Sequence, residues 1–207
     1  MTLDDALAAC PLVAIVRGIK PEEALAHTEA LYAAGVRGVE VPLNSPDPLV
    51  SLRLIADAFG GRMAVGAGTV LTVERVDAVA AAGGRVIISP NTSAEVVRRA
   101  VALGLDPVPG FATASEAFTA LDAGARRLKL FPAETYGPGH LKQLRAVLPA
   151  ETVVWAVGGV GPGSLADWWA AGARAFGIGG ELYRAGQSPR ETAERAARLV
   201  TAARGLH

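Results

Sequence analysis

The chain has 207 residues, 51% of them hydrophobic, with 24 glycines, 13 prolines and a single cysteine. That length suits one domain whose core needs no disulfide or metal staple. Its 20 basic and 20 acidic residues cancel, and with no basic run this argues against general nucleic-acid binding. Asp4 and Asp5 near the start are unlike a signal peptide. No stretch approaches the roughly 20 apolar residues a membrane helix needs. Cys10 cannot close an internal disulfide, so a cytoplasmic protein is expected.

Taken in order, a short helix near 2–9 precedes eight strand–helix units. Strands are expected near 12–17, 38–42, 64–68, 86–89, 106–109, 127–131, 153–157 and 175–179. Helices are expected near 21–34, 47–59, 72–82, 93–103, 114–123, 138–147, 163–171 and 188–203. The recurring signal is an alanine-rich helical pattern ending in glycine, followed by a short apolar strand. It occurs at Gly35, Gly83, Gly104, Gly124 and Gly172. Glycine there accepts the left-handed conformation that ends a helix. Pro21 and Pro48 stand where a first helical turn tolerates proline. Eight such units predict an α/β fold: a single (β/α)8 TIM barrel over residues 1–207 with a short N-terminal helix. An open doubly wound sheet is the alternative.

The sixth strand carries an anomaly. In Arg127-Leu128-Lys129-Leu130-Phe131 the leucines share one face, and Arg127, Lys129 and Phe131 share the other. The flanking helical patterns bury both faces. Only three of the 20 basic residues are lysines: Lys20, Lys129 and Lys142. A lysine inside a buried strand suggests a role arginine cannot fill, a neutral amine nucleophile. The other reading is a buried Lys–Glu pair that braces the core.

Barrels of this kind carry their sites at the carboxyl ends of the strands. Glu40 alternates with Val39 and Val41, and Arg17 with Val16, so both are expected to point inward beside Lys129. Arg17 would then disfavour a charged lysine and pair with a substrate carboxylate, and Glu40 would exchange protons. An interior ion triad without chemistry is the alternative. Gly158-Gly159 and the run Gly177 to Gly180 follow the seventh and eighth strands. Bare N–H groups there suit a phosphate.

Several segments, in order, resemble the family of 2-keto-3-deoxy-6-phosphogluconate and 6-phosphogalactonate aldolases. They are Val39-Glu40-Val41-Pro42-Leu43, Val65 to Leu71, Ile88 to Asn91, Pro109 to Thr113, Leu128 to Glu134 and Val157 to Val160. The resemblance implies a class I aldolase with Lys129 as the Schiff-base lysine and Glu40 as general acid/base. It implies that Arg17 and Thr69 bind the keto-acid end and that Gly158, Gly159, Gly179 and Gly180 hold the phosphate. Pro90 and Phe131 would shape the pocket. It further implies a homotrimer acting on a phosphorylated keto sugar acid and pyruvate, with no cofactor and no metal. Asn44 and Ser45 replace an arginine-threonine pair of the gluconate type, and Val157 replaces a threonine. Both changes resemble the galactonate branch, so Asn44 and Val157 are expected to set the choice between C4 epimers. Cleavage of the gluconate epimer is the alternative. Glu181 is awkward beside a phosphate and is expected to turn outward.

The remaining signals are weaker. His27 is expected on a helix surface, His140 lies beyond the sixth strand and is expected to lie outside the site more readily than to border it, and His207 is the terminus. None has metal-ligand spacing. Trp155, Trp168 and Trp169 are expected to pack, and Arg98-Arg99 to be a solvated face. The rival classes are a phosphosugar isomerase or epimerase, which needs no covalent lysine, and a sugar-phosphate-binding module without turnover.

Overall fold

The computed structural model describes residues 1–206. Its strands are β1 (Leu12–Ile15), β2 (Gly38–Pro42), β3 (Ala64–Gly68), β4 (Val86–Ile88), β5 (Asp106–Val108), β6 (Gly110–Phe111), β7 (Arg127–Leu130), β8 (Val153–Val157) and β9 (Ala175–Ile178). All pair in parallel, in the order β5-β4-β3-β2-β1-β9-β8-β7-β6. The expected fifth strand is split into two. Pro109 has no N–H to give, and there the chain changes neighbours. β5 pairs with β4, and β6 pairs with β7. Lys129 N–H donates to Pro109 O at 2.8 Å, so β5 and β6 act as one stave and the sheet closes as a (β/α)8 barrel.

The helices are α1 (Leu3–Ala9), α2 (Pro21–Ala33), α3 (Pro48–Phe59), α4 (Val73–Ala81), α5 (Ala94–Ala102), α6 (Ala114–Asp122), α7 (Ala133–Arg145), α8 (Leu165–Ala170) and α9 (Pro189–Arg204). Hydroxyl caps start many of them: Thr2, Thr72, Ser93, Thr113 and Ser188 each accept a backbone N–H of the first turn. The glycines that mark helix ends in the sequence, Gly35, Gly83, Gly104, Gly124 and Gly172, all have positive φ. α7 departs from expectation. It begins at Ala133 rather than near 138, because a first turn forms before Gly137 (φ 75°, ψ 164°) breaks it and Pro138 restarts it.

The strand alternation sorts side chains into two cores. Leu12, Ala14, Val39, Val41, Val65, Ile87, Leu128, Leu130, Phe176 and Ile178 face the helices. Val13, Ile15, Ala64, Val86, Ile88, Val108, Trp155, Val157 and Ala175 fill the barrel. Leu3 and Ala6 of α1 join this inner core, closing the amino-terminal end. Arg127 lies inward on β7 at that end, ion-paired with Asp4 of α1 and, at 2.8 Å, with Asp106 of β5. The other end of the barrel is left for the loops.

Candidate active site

Lys129 stands between Leu128 and Leu130, which face the helices, so its side chain enters the barrel, where it is 6% exposed. Glu40 enters in the same way between Val39 and Val41 and is 2% exposed. Gly68 on the adjacent β3 makes room for it: a Cβ there would lie 2.2 Å from Glu40 Oε2. Among the described residues no ion pair joins Glu40 to Lys129 or to Arg17. Glu40 Oε2 is buried with no hydrogen-bond partner. A core-bracing Lys–Glu pair would be in contact, and this one is not.

Both groups are shifted toward their neutral forms. Burial pushes the Lys129 ammonium below the ordinary lysine value; Glu40 opposes the shift and Arg17 adds to it. Burial pushes the Glu40 carboxyl up, against the opposing charges of Lys129 and Arg17. Lys129 Nζ also lies 4.7 Å from the centroid of the Phe131 ring, whose face attracts an ammonium and so opposes the effect of burial.

Arg17 is not part of a buried triad. β1 ends at Ile15 and Val16 N–H makes the next bond, to Glu40 O, at 3.1 Å. Arg17 is past that bond, exposed at the mouth, and donates to Asn44 Oδ1 at 2.6 Å. Gly18 N–H donates to Ser45 Oγ at 2.9 Å. These two bonds clamp the loop after β1 onto the loop after β2.

A cavity of about 300 Å³ opens at this end, and Arg17, Lys129, Phe131, Val157, Gly158, Gly159, Gly179 and Gly180 line it. Glu40, Asn44, Thr69 and Pro90 do not line it. Thr69 follows β3 with φ of 58°, a backbone that β-branched residues rarely adopt. The Pro90 carbonyl lies 2.3 Å from where a Cβ on Gly110 would be, so the loop after β4 rests on the bare backbone of β6.

The glycine loops present unused donors. Gly158 and Gly159 have φ of 98° and 71°. The N–H groups of Gly159, Val160, Gly180 and Glu181 donate to no protein acceptor among the described residues. Directly after β9, before α9, the chain makes a turn rather than a helix, closed by Leu182 and Tyr183 N–H groups donating to Gly179 O at 2.8 and 2.9 Å. Glu181, itself exposed, is among the residues that line the cavity, together with Ile15 and Arg184. Sequence reading missed those last two. Ile15 looked like any inward strand residue, and Arg184 follows the strand by several residues in a run with no period.

The histidines lie elsewhere. His27 is 2% exposed, correcting its surface assignment, because α2 packs against both α3 and α9 and buries the face it occupies. His140 bonds Ala112 O through Nε2 at 2.6 Å and stacks on Tyr136, and does not line the cavity. His207 is outside the described residues. Trp155 and Trp168 are buried, and Trp169 packs near Phe176.

The family model for KDPG and KHG aldolase matches residues 3–199. The 2-dehydro-3-deoxy-6-phosphogalactonate aldolase of Escherichia coli (strain K12) is 54% identical over 194 residues, covering 94% of this chain and 95% of the relative. A solved structure described as native KDPGal superposes with a TM-score of 0.93 at 53% identity, covering 95% of each chain. A cube-shaped protein cage, designed by fusing symmetric oligomeric domains, matches with the same TM-score and identity. That match covers 95% of this chain and 73% of the cage subunit.

Proposed function

The chain belongs to the KDPG and KHG aldolase family, and on that premise we propose that it cleaves 2-keto-3-deoxy-6-phosphogalactonate to pyruvate and glyceraldehyde 3-phosphate through a Schiff base on Lys129. The observation that carries this reading is Lys129 itself: an amine on an inward strand position, 6% exposed, facing a cavity and held by no carboxylate. Burial enlarges its neutral fraction, and only the neutral amine attacks a carbonyl.

The chemistry then follows from charge. The Lys129 amine adds to the C2 ketone, giving a carbinolamine, which loses water to become an iminium. The iminium draws the electron pair of the C3–C4 bond as it breaks, while the C4 hydroxyl proton passes to Glu40, directly or through water. Glyceraldehyde 3-phosphate leaves, and an enamine remains on Lys129. Glu40 returns its proton to C3, and water hydrolyses the iminium to free pyruvate. A carboxyl whose affinity for protons is raised by burial suits both transfers. Arg17, at the cavity lining, supplies a positive charge for the substrate carboxylate, and the family resemblance gives Thr69 a share in that end. The free N–H groups of Gly159, Val160, Gly180 and Glu181 suit the phosphate, with Arg184 balancing Glu181.

The epimer choice rests on Val157, which offers no hydrogen bond where the gluconate type has a hydroxyl, and on the Asn44–Arg17 bond. Two further points belong to the same reading. A homotrimer fits the exposed Leu49, Val50 and Leu71 on the outer surface and the oligomeric parentage of the cage subunit; analytical ultracentrifugation tests it. A cytoplasmic setting fits a chain in which no helix of the described residues is long and apolar enough to cross a membrane.

The primary experiment is reduction with borohydride in the presence of pyruvate, followed by peptide mass spectrometry. A permanent adduct on Lys129 is expected. Absence of an adduct at saturating pyruvate refutes the mechanism and leaves a non-covalent isomerase on the same barrel. Pyruvate release from the two C4 epimers, measured side by side, then tests the substrate; faster cleavage of the gluconate epimer refutes that assignment alone.

A further inference from the structure

The turn that offers the Gly180 and Glu181 N–H groups is not part of a regular helix, so something else must hold its shape. One side chain reaches all of it. Gln187 Nε2 donates to Leu182 O at 3.0 Å, and Gln187 Oε1 accepts from Arg184 N–H at 3.1 Å. The same Nε2 donates to Thr192 Oγ1 at 2.6 Å. The orientation of the amide follows from its partners: a carbonyl takes the NH2, and an N–H takes the oxygen. Glutamate would lack the donors and leucine would lack everything, so only an amide of this length satisfies all three.

Thr192 is fully buried on α9 and ties this amide to the protein body. Its hydroxyl also lies 2.8 Å from Nδ1 of His27 on α2. His27 packs edge-on against Tyr183 of the turn, with ring centroids 5.0 Å apart. A continuous polar path therefore runs from α2 through α9 to the loop that borders the cavity. On the solvent side the turn is held by guanidinium groups: Arg184 Nε and Arg195 Nη1 donate to Gly180 O at 3.0 and 3.3 Å.

We propose that Gln187, anchored by Thr192, is the positioning residue of the phosphate subsite: it fixes the turn so that the Gly180 and Glu181 N–H groups and Arg184 converge on the substrate phosphate. Gln187 lies outside the cavity lining and acts through the backbone of Leu182 and Arg184. The inference rests on the reading of the glycine loops as a phosphate site. It adds that a residue remote from the reacting carbons controls binding of one end of the substrate and not the chemistry at the other.

The test uses Gln187→Leu, Thr192→Val and Thr192→Ser in the full chain. Each is assayed with the phosphorylated keto acid, with its dephosphorylated analogue, and by borohydride trapping of pyruvate on Lys129. Gln187→Leu and Thr192→Val should raise KM for the phosphorylated substrate by about tenfold and leave kcat within about twofold, as expected for lost hydrogen bonds that serve uniform binding. Trapping and the dephosphorylated substrate should not respond, and Thr192→Ser, which keeps the hydroxyl, should behave as the unaltered protein. An unchanged KM in Gln187→Leu overturns the inference. An equal loss on the dephosphorylated substrate or in trapping also overturns it, since the residue would then serve the fold at large. So does a Thr192→Ser protein as impaired as Thr192→Val. If the unaltered protein treats both substrates alike, the phosphate reading itself falls, and this inference with it.

Discussion

Gly68→Ala tests whether the carboxylate of Glu40 works from one position only. Gly68 has an ordinary strand backbone, absent from the positive-φ glycines, so alanine brings no conformational penalty. The added carbon would instead lie 2.2 Å from Oε2, 2.8 Å from Cδ and 3.1 Å from Oε1 of Glu40. Relief to an ordinary contact requires the carboxylate to move by about 1 Å, and a displacement of that size at a reacting group can cost about 10²-fold in rate. Overpacking costs about 1–3 kcal/mol, or roughly 2–12 °C in Tm for a chain of this size. The expected result is kcat for pyruvate release lower by about 10²-fold, read in a coupled lactate dehydrogenase assay. Pyruvate should still be trapped on Lys129, whose amine is untouched. Gly66→Ala is the contrast, because its Cβ would meet the Val86 backbone oxygen at 2.3 Å and should damage the wall rather than the carboxylate. A Gly68→Ala protein with full kcat refutes the assignment of proton transfer to Glu40.

Other outcomes follow from the same geometry. Lys129→Met should abolish turnover, by about 10³-fold or more, without lowering Tm at neutral pH, since a buried ammonium that makes no ion pair among the described residues is removed. Burial holds Lys129 below 10.5, so the folded protein carries fewer protons than the unfolded chain between the shifted value and 10.5. Stability should therefore rise with pH across that window, and Lys129→Met should flatten the rise in a pH series of melts. The rate of pyruvate trapping should climb with pH to a midpoint below 10.5, and Arg17→Gln, which removes a repelling charge, should move that midpoint upward. Val157→Thr keeps the shape of a side chain lining the cavity and adds a hydroxyl; the ratio of kcat/KM between epimers should shift toward the gluconate form by about tenfold. Arg127→Leu should cost about 2 kcal/mol by leaving Asp106 unpaired, read as a lower Tm.

Much of the barrel was legible because its signals are local. A period of two fixes which strand residues face inward, and Glu40 and Lys129 follow from it directly, as do Val39, Val41, Leu128 and Leu130 on the other face. Glycine after a helix is equally local, and it marked helix ends correctly. What failed was whatever depends on the third dimension. Arg17 does reach the cavity beside Lys129, but at the exposed mouth and not in a buried triad, because alternation alone does not say where burial ends. His27 looked like a surface residue because nothing local announces that α9 will cover α2. The split of the fifth stave at Pro109 needed knowledge of which neighbours each half would meet. Arg184 joins the cavity lining from a run without periodicity, so nothing local announces it.

Helix α1 is a stopper. Leu3 and Ala6 seat in the end of the barrel opposite the loops, and Asp4 latches onto Arg127, one inward position below Lys129. The depressed basicity of Lys129 is a property of dryness, and dryness belongs to the whole vessel rather than to the mouth. A barrel that leaks at its base would return hydration to the amine and restore its proton, with every substrate contact intact. The first turn of the chain is thus a remote setting on the nucleophile, and a fusion or tag that unseats it would mimic an active-site lesion.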